Sequence, residues 1–169
     1  MKIIVVEDNK KHALEACDFF EGKGYQISCP SKFEPVLGES LSLVHCLEDF
    51  EAIRSQLEGT SGEVGVLTDL YFPVRNPFVS PTSGELAPLG LIVMMVCKEL
   101  GVPCVLVTAG FHHGSRYEEP TQALRVLGMP FQETVVDHFE GDANAEAQTK
   151  DWTKALEKLE TQVSRTGAG

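Results

Sequence analysis

Three stretches of the chain are apolar almost without interruption, and each runs into residues with chemistry to offer. Ile3 to Val6 leads to Glu7-Asp8, Val64 to Thr68 leads to Asp69, and Val102 to Val107 leads to Thr108-Ala109-Gly110. Runs of this length without polar alternation fit strands buried on both faces. Between them the period changes to that of a helix. Ala13, Ala16, Cys17 and Phe20 fall on one face, followed by Phe50, Ile53 and Leu57. Leu89, Ile92, Val93, Val96, Cys97 and Leu100 form the cleanest stripe, and Leu124 with Leu127 mark a shorter one. Trp152, Ala155, Leu156, Leu159 and Val163 close the series. Tyr25 to Ser28 and Phe131 to Val136 supply two more strands. Strands alternating with helical stripes predict βαβ units, a parallel sheet and an α/β fold.

Breakers divide the chain further. Pro73, Pro77, Pro81 and Pro88, with Ser80, Thr82, Ser83 and Gly84, predict a long loop over 74–88. The pattern gives a domain over 1–140, a helical extension over 141–163 and a disordered tail over 164–169.

Charge narrows the partners. Lys and Arg total 14 against 25 acids, a formal net charge of −11. Such a surface repels phosphates and anionic lipid, so neither nucleic acid nor membrane is expected as a partner. No apolar run approaches the ~18 residues of a membrane span, and no secretory leader opens the sequence. The five cysteines (Cys17, Cys29, Cys46, Cys97, Cys104) form no C-x-x-C pair and read as reduced thiols of a cytoplasmic protein. His45-Cys46 and His112-His113 lack the spacing of a metal site. Glycine-rich phosphate loops and a Gly-x-Ser-x-Gly elbow are absent, which removes the nucleotide-binding modes built on those loops and the α/β-hydrolases.

In an open α/β sheet, ligands sit at the carboxyl ends of the strands, where Glu7, Asp8, Asp69 and Thr108 are predicted to meet. VVEDN, a helix ending in "GY", TDLYFP and VPCVLVTAG, in this order, resemble the receiver domains of two-component response regulators. Asp69 and Pro73 keep the D-x-x-x-P spacing, and Thr108-Ala109 matches the family's Thr/Ser-Ala pair. The resemblance implies a flavodoxin-like, doubly wound five-stranded parallel sheet of order 2-1-3-4-5. It also implies that Asp69 accepts a phosphoryl group and that the Thr108 hydroxyl contacts it. Magnesium would be held by Glu7, Asp8, Asp69 and the main-chain carbonyl of Tyr71, and hard oxygen donors of this kind suit that ion.

The sequence departs from the family in three places. Receivers carry a lysine at the end of the fifth strand, but no lysine occurs between Lys98 and Lys150. The strand end offers Asp137 and His138 instead, leaving Arg116, His112 or His113 as substitute cations. The loop over 74–88 is long, and the glycine that follows the family proline closely is replaced by the more distant Gly84 and Gly90. The closing helix is the third.

The leading expectation is a stand-alone receiver-like signalling protein, a phosphoacceptor rather than a turnover enzyme. Its partners would be a histidine kinase, a phosphotransfer protein or another regulated protein, with a homodimer also open. A degenerate version working by constitutive contact is the alternative, favoured by the absent lysine. A Mg²⁺-dependent phosphohydrolase or a Toprim-like enzyme is the competing class. For the latter the sequence Asp69-Leu70-Tyr71 lacks the second aspartate.

Overall fold

The computed structural model describes residues 1–7, 9–28, 53–55, 57–58, 64–73, 86–109, 122–129, 131–134 and 150–166. Asp8, most of the loop over 74–88, and Arg116, His112, His113, Asp137 and His138 lie outside these residues.

The chain is α/β. Strands β1 (Lys2–Val6), β2 (Gln26–Ser28), β3 (Val64–Thr68), β6 (Cys104–Ala109) and β7 (Phe131–Thr134) pair in the order β2-β1-β3-β6-β7. Every pairing is parallel. Two short strands, β4 (Phe72–Pro73) and β5 (Leu86–Ala87), pair antiparallel beside the sheet. The segment predicted as one loop over 74–88 is therefore closed at its base by a small ribbon.

Helices α1 (Lys10–Gly22) and α3 (Trp152–Thr166) share one core with alternate strand residues Ile3, Val5, Leu67, Val105 and Val107. Helix α2 (Gly90–Leu100) joins Ile53, Leu57 and Leu124 in a second core with Ile4, Val6, Val66 and Leu106. Helices on both faces explain why the strands read as unbroken apolar runs. All four residues of the first stripe are buried, and so are Trp152, Ala155, Leu156 and Leu159. The helix beyond residue 141 thus shares a core with the elements that precede it. Gly65 makes room for it, because a Cβ there would lie 2.7 Å from the Leu159 side chain.

Two stripes differ from the pattern. On α2 the fully buried residues are Gly90, Val93, Met94 and Cys97, while Ile92 is exposed. A Cβ on Gly90 would lie 1.9 Å from the Asp69 carbonyl oxygen, so the helix is seated on its glycine. Seating residue 90 turns residues 93, 94 and 97 inward and Ile92 outward. Leu127 also faces solvent, whereas Leu124 is buried in the core. No helix among the described residues is long and apolar enough to cross a membrane.

Candidate functional site

Parallel register fixes the heart of the site. Val6 stands opposite Thr68, and the Asp69 N–H continues the ladder to the Val6 carbonyl at 2.9 Å. Glu7 and Asp69 therefore leave the carboxyl edge side by side. Alternation puts Glu7 in the row of Ile3 and Val5, and Asp69 in the row of Leu67, so both belong to the face covered by α1 and α3. Gly90 packs on the backbone of Asp69, and the Thr68 hydroxyl donates to the Asp69 carbonyl at 3.0 Å.

Between the two acids lies a residue the strand pattern did not single out. Lys150 has a side chain 1% exposed, and its ammonium forms ion pairs with Glu7 Oε2 and with Asp69 Oδ1, the latter at 2.9 Å. The Asp69 contact lacks hydrogen-bond angles, and Oδ1 is buried without a hydrogen-bond partner. The Trp152 ring stands 5.9 Å from the same ammonium, within cation–π range, and packs edge-on against Phe20 of α1.

Lys150 precedes α3 by one residue, Asp151, whose Oδ1 accepts the Lys154 N–H at 3.0 Å and holds the first helical turn. That N–H is the main reason the Asp151 carboxyl lies below its usual range, burial opposing it. The cation is thus tied to the root of a well-packed helix rather than to a strand end. The signal was available in the sequence. In a βαβ fold every helix begins at the edge where the strands end, so the residue before a helix is as close to the site as the residue after a strand.

The two acids differ in their surroundings. Glu7 is 2% exposed overall, and its second oxygen, Oε1, accepts the Asn9 N–H at 3.0 Å. Asn9 in turn caps α1 by accepting from the Lys11 N–H. Burial raises the Glu7 pKa to about 7, with Lys150 opposing the rise and the Asp69 charge adding to it. Burial also works against the Lys150 ammonium, but the attraction of Asp69 and Glu7 outweighs it, and the lysine pKa is raised. Burial thus leaves Glu7 favouring a proton more than a free carboxyl does, even with the ammonium beside it. The Asp69 side chain remains 15% exposed.

The other predicted residues are distributed around this group. Thr108 is buried, and alternation places it in the row of Cys104 and Leu106, on the α2 side of the sheet rather than with the two acids. Tyr71, two residues after Asp69, is partly buried against the α2-side core. Asp8 is outside the described residues. Of the expected magnesium ligands, Glu7 and Asp69 meet at the Lys150 ammonium. Both Glu7 oxygens are already engaged, and no cluster of three acidic, histidine or cysteine side chains suited to a metal occurs among the described residues. Glu7 as placed does not fit direct metal ligation.

No protein-family model matches the sequence, and no curated protein shows significant similarity to it.

Proposed function

We propose that this chain is a receiver-like signalling module of flavodoxin-like architecture, in which Asp69 accepts a phosphoryl group and Lys150 pairs with it. The observation that carries the reading is the buried Lys150 ammonium 2.9 Å from Asp69 Oδ1. The argument for a degenerate version was the lack of a cation beside the acids, and Lys150 removes it.

Burial selects the nucleophile. Glu7 is enclosed and doubly engaged, whereas the Asp69 side chain keeps 15% exposure and turns its Oδ1 to the ammonium. An Asp69 oxygen attacks phosphorus, the new O–P bond forms, and the donor's P–N or P–O bond breaks with its electron pair leaving on the donor. The product is an acyl phosphate, and Lys150 then meets the added negative charge. No step here passes through a metal ion. The partner is a phosphohistidine-bearing kinase or phosphotransfer protein, and the compartment is the cytoplasm, in keeping with the free thiols of Cys17, Cys97 and Cys104.

Acetyl phosphate tests the reading, with acetate as the leaving group. Intact-mass analysis is expected to detect one added phosphoryl group, removable by hydroxylamine and absent in Asp69→Asn. Lack of any label, or a label that persists in D69N, would overturn it.

A further inference from the structure

We infer that Lys150 is the resident cation of the acidic pocket, neutralising Glu7 and Asp69 from within the chain and leaving no site for a divalent ion between them. Glu7 Oε2 and Asp69 Oδ1 both face the Lys150 ammonium, and Glu7 Oε1 holds the Asn9 N–H. A divalent ion between the two acids would have to displace an ammonium that is 1% exposed. The displaced charge would lie buried without its partners and beside a second positive charge, both strongly unfavourable. The ammonium also has little room to withdraw, because Trp152 stands over it and Asp151 holds the next turn of helix. This inference concerns the pocket of the proposed phosphoryl acceptor but does not depend on that chemistry. Failure of acetyl phosphate labelling leaves the following test readable.

Trp152 is the only tryptophan of the chain and lies beside the ammonium, so Mn²⁺ entering the pocket would quench its fluorescence. Wild-type protein is expected to give no saturable quenching up to millimolar Mn²⁺. Lys150→Met, with its fold checked by circular dichroism, is expected to bind Mn²⁺ more tightly by on the order of tenfold or more. A further Asp69→Asn change should abolish that gain. If K150M does not fold, Lys150→Gln, which keeps a donor for Glu7, makes the same comparison. Submillimolar saturation in wild type that is lost in Glu7→Gln would overturn the inference. So would a folded Lys150 variant that binds no better than wild type.

Discussion

The ends of β1 and β3 bring chemically equivalent groups to one ammonium, and the fold treats them differently. The Glu7 end is closed: both carboxylate oxygens are engaged and the side chain is 1% exposed. The Asp69 end is held mainly through its backbone, by the Val6 carbonyl, the Thr68 hydroxyl and the close approach of Gly90. Its carboxylate keeps 15% exposure, with Oδ1 turned to the ammonium. The difference teaches that shared charge does not mean shared work. Glu7 is the end sealed around the cation, and Asp69 is the end that keeps some exposure.

The largest expected effect comes from removing what the two ends share. Lys150→Met leaves buried Glu7 and partly buried Asp69 without a counter-charge and should cost about 3–5 kcal/mol in chemical denaturation. Lys150→Arg should recover part of that loss. Gly90→Ala attacks the Asp69 end alone. Its methyl would meet the Asp69 carbonyl, so a loss of about 2–3 kcal/mol is expected. A Gly90→Ala protein as stable as wild type would show that the helix is not seated as described.

Glu7→Gln probes the closed end. A single amide oxygen cannot serve both Asn9 and Lys150, so about 1–2 kcal/mol should be lost. The same variant should remove a pH dependence. The folded Glu7 pKa of about 7 exceeds its ordinary 4.5, so the native state holds a proton that the unfolded chain has released. Stability should therefore fall as pH rises from about 4.5 to about 7 and then level off. Denaturation midpoints across that window should slope in wild type and flatten in E7Q. The smallest effect is expected for Asp69→Asn, within about 1 kcal/mol, because the side chain is partly exposed and its ion pair lacks hydrogen-bond geometry. A loss there as large as that of E7Q would erase the distinction between the two ends.

Much of the fold was legible because burial on both faces leaves a plain record. Ile3 to Val6 and Val64 to Thr68 could be read as central strands, and the α1 and α3 stripes name residues that are buried, apart from the partly exposed Val163. Where the reading shifted, a backbone contact decided. Ile92 is apolar and on the predicted stripe, but Gly90 against Asp69 sets the rotation of α2, and no hydrophobic period records that contact. In the site, Glu7 and Asp69 were found from their strand ends. Lys150 was missed because the cation was sought after the fifth strand, whereas the chain supplies it at the start of the closing helix.

Glu7 and Lys150 stand 143 residues apart in sequence, yet they form a single buried ion pair. As the chain is synthesised, β1, α1 and β3 can assemble around two acids whose counter-charge does not yet exist. The strand end must stay hydrated, or Glu7 must carry a proton, until Lys150 emerges and α3 docks. Closing so long a loop is a late and slow kind of contact. The edge of the sheet is therefore sealed by the same segment that completes the core beneath it.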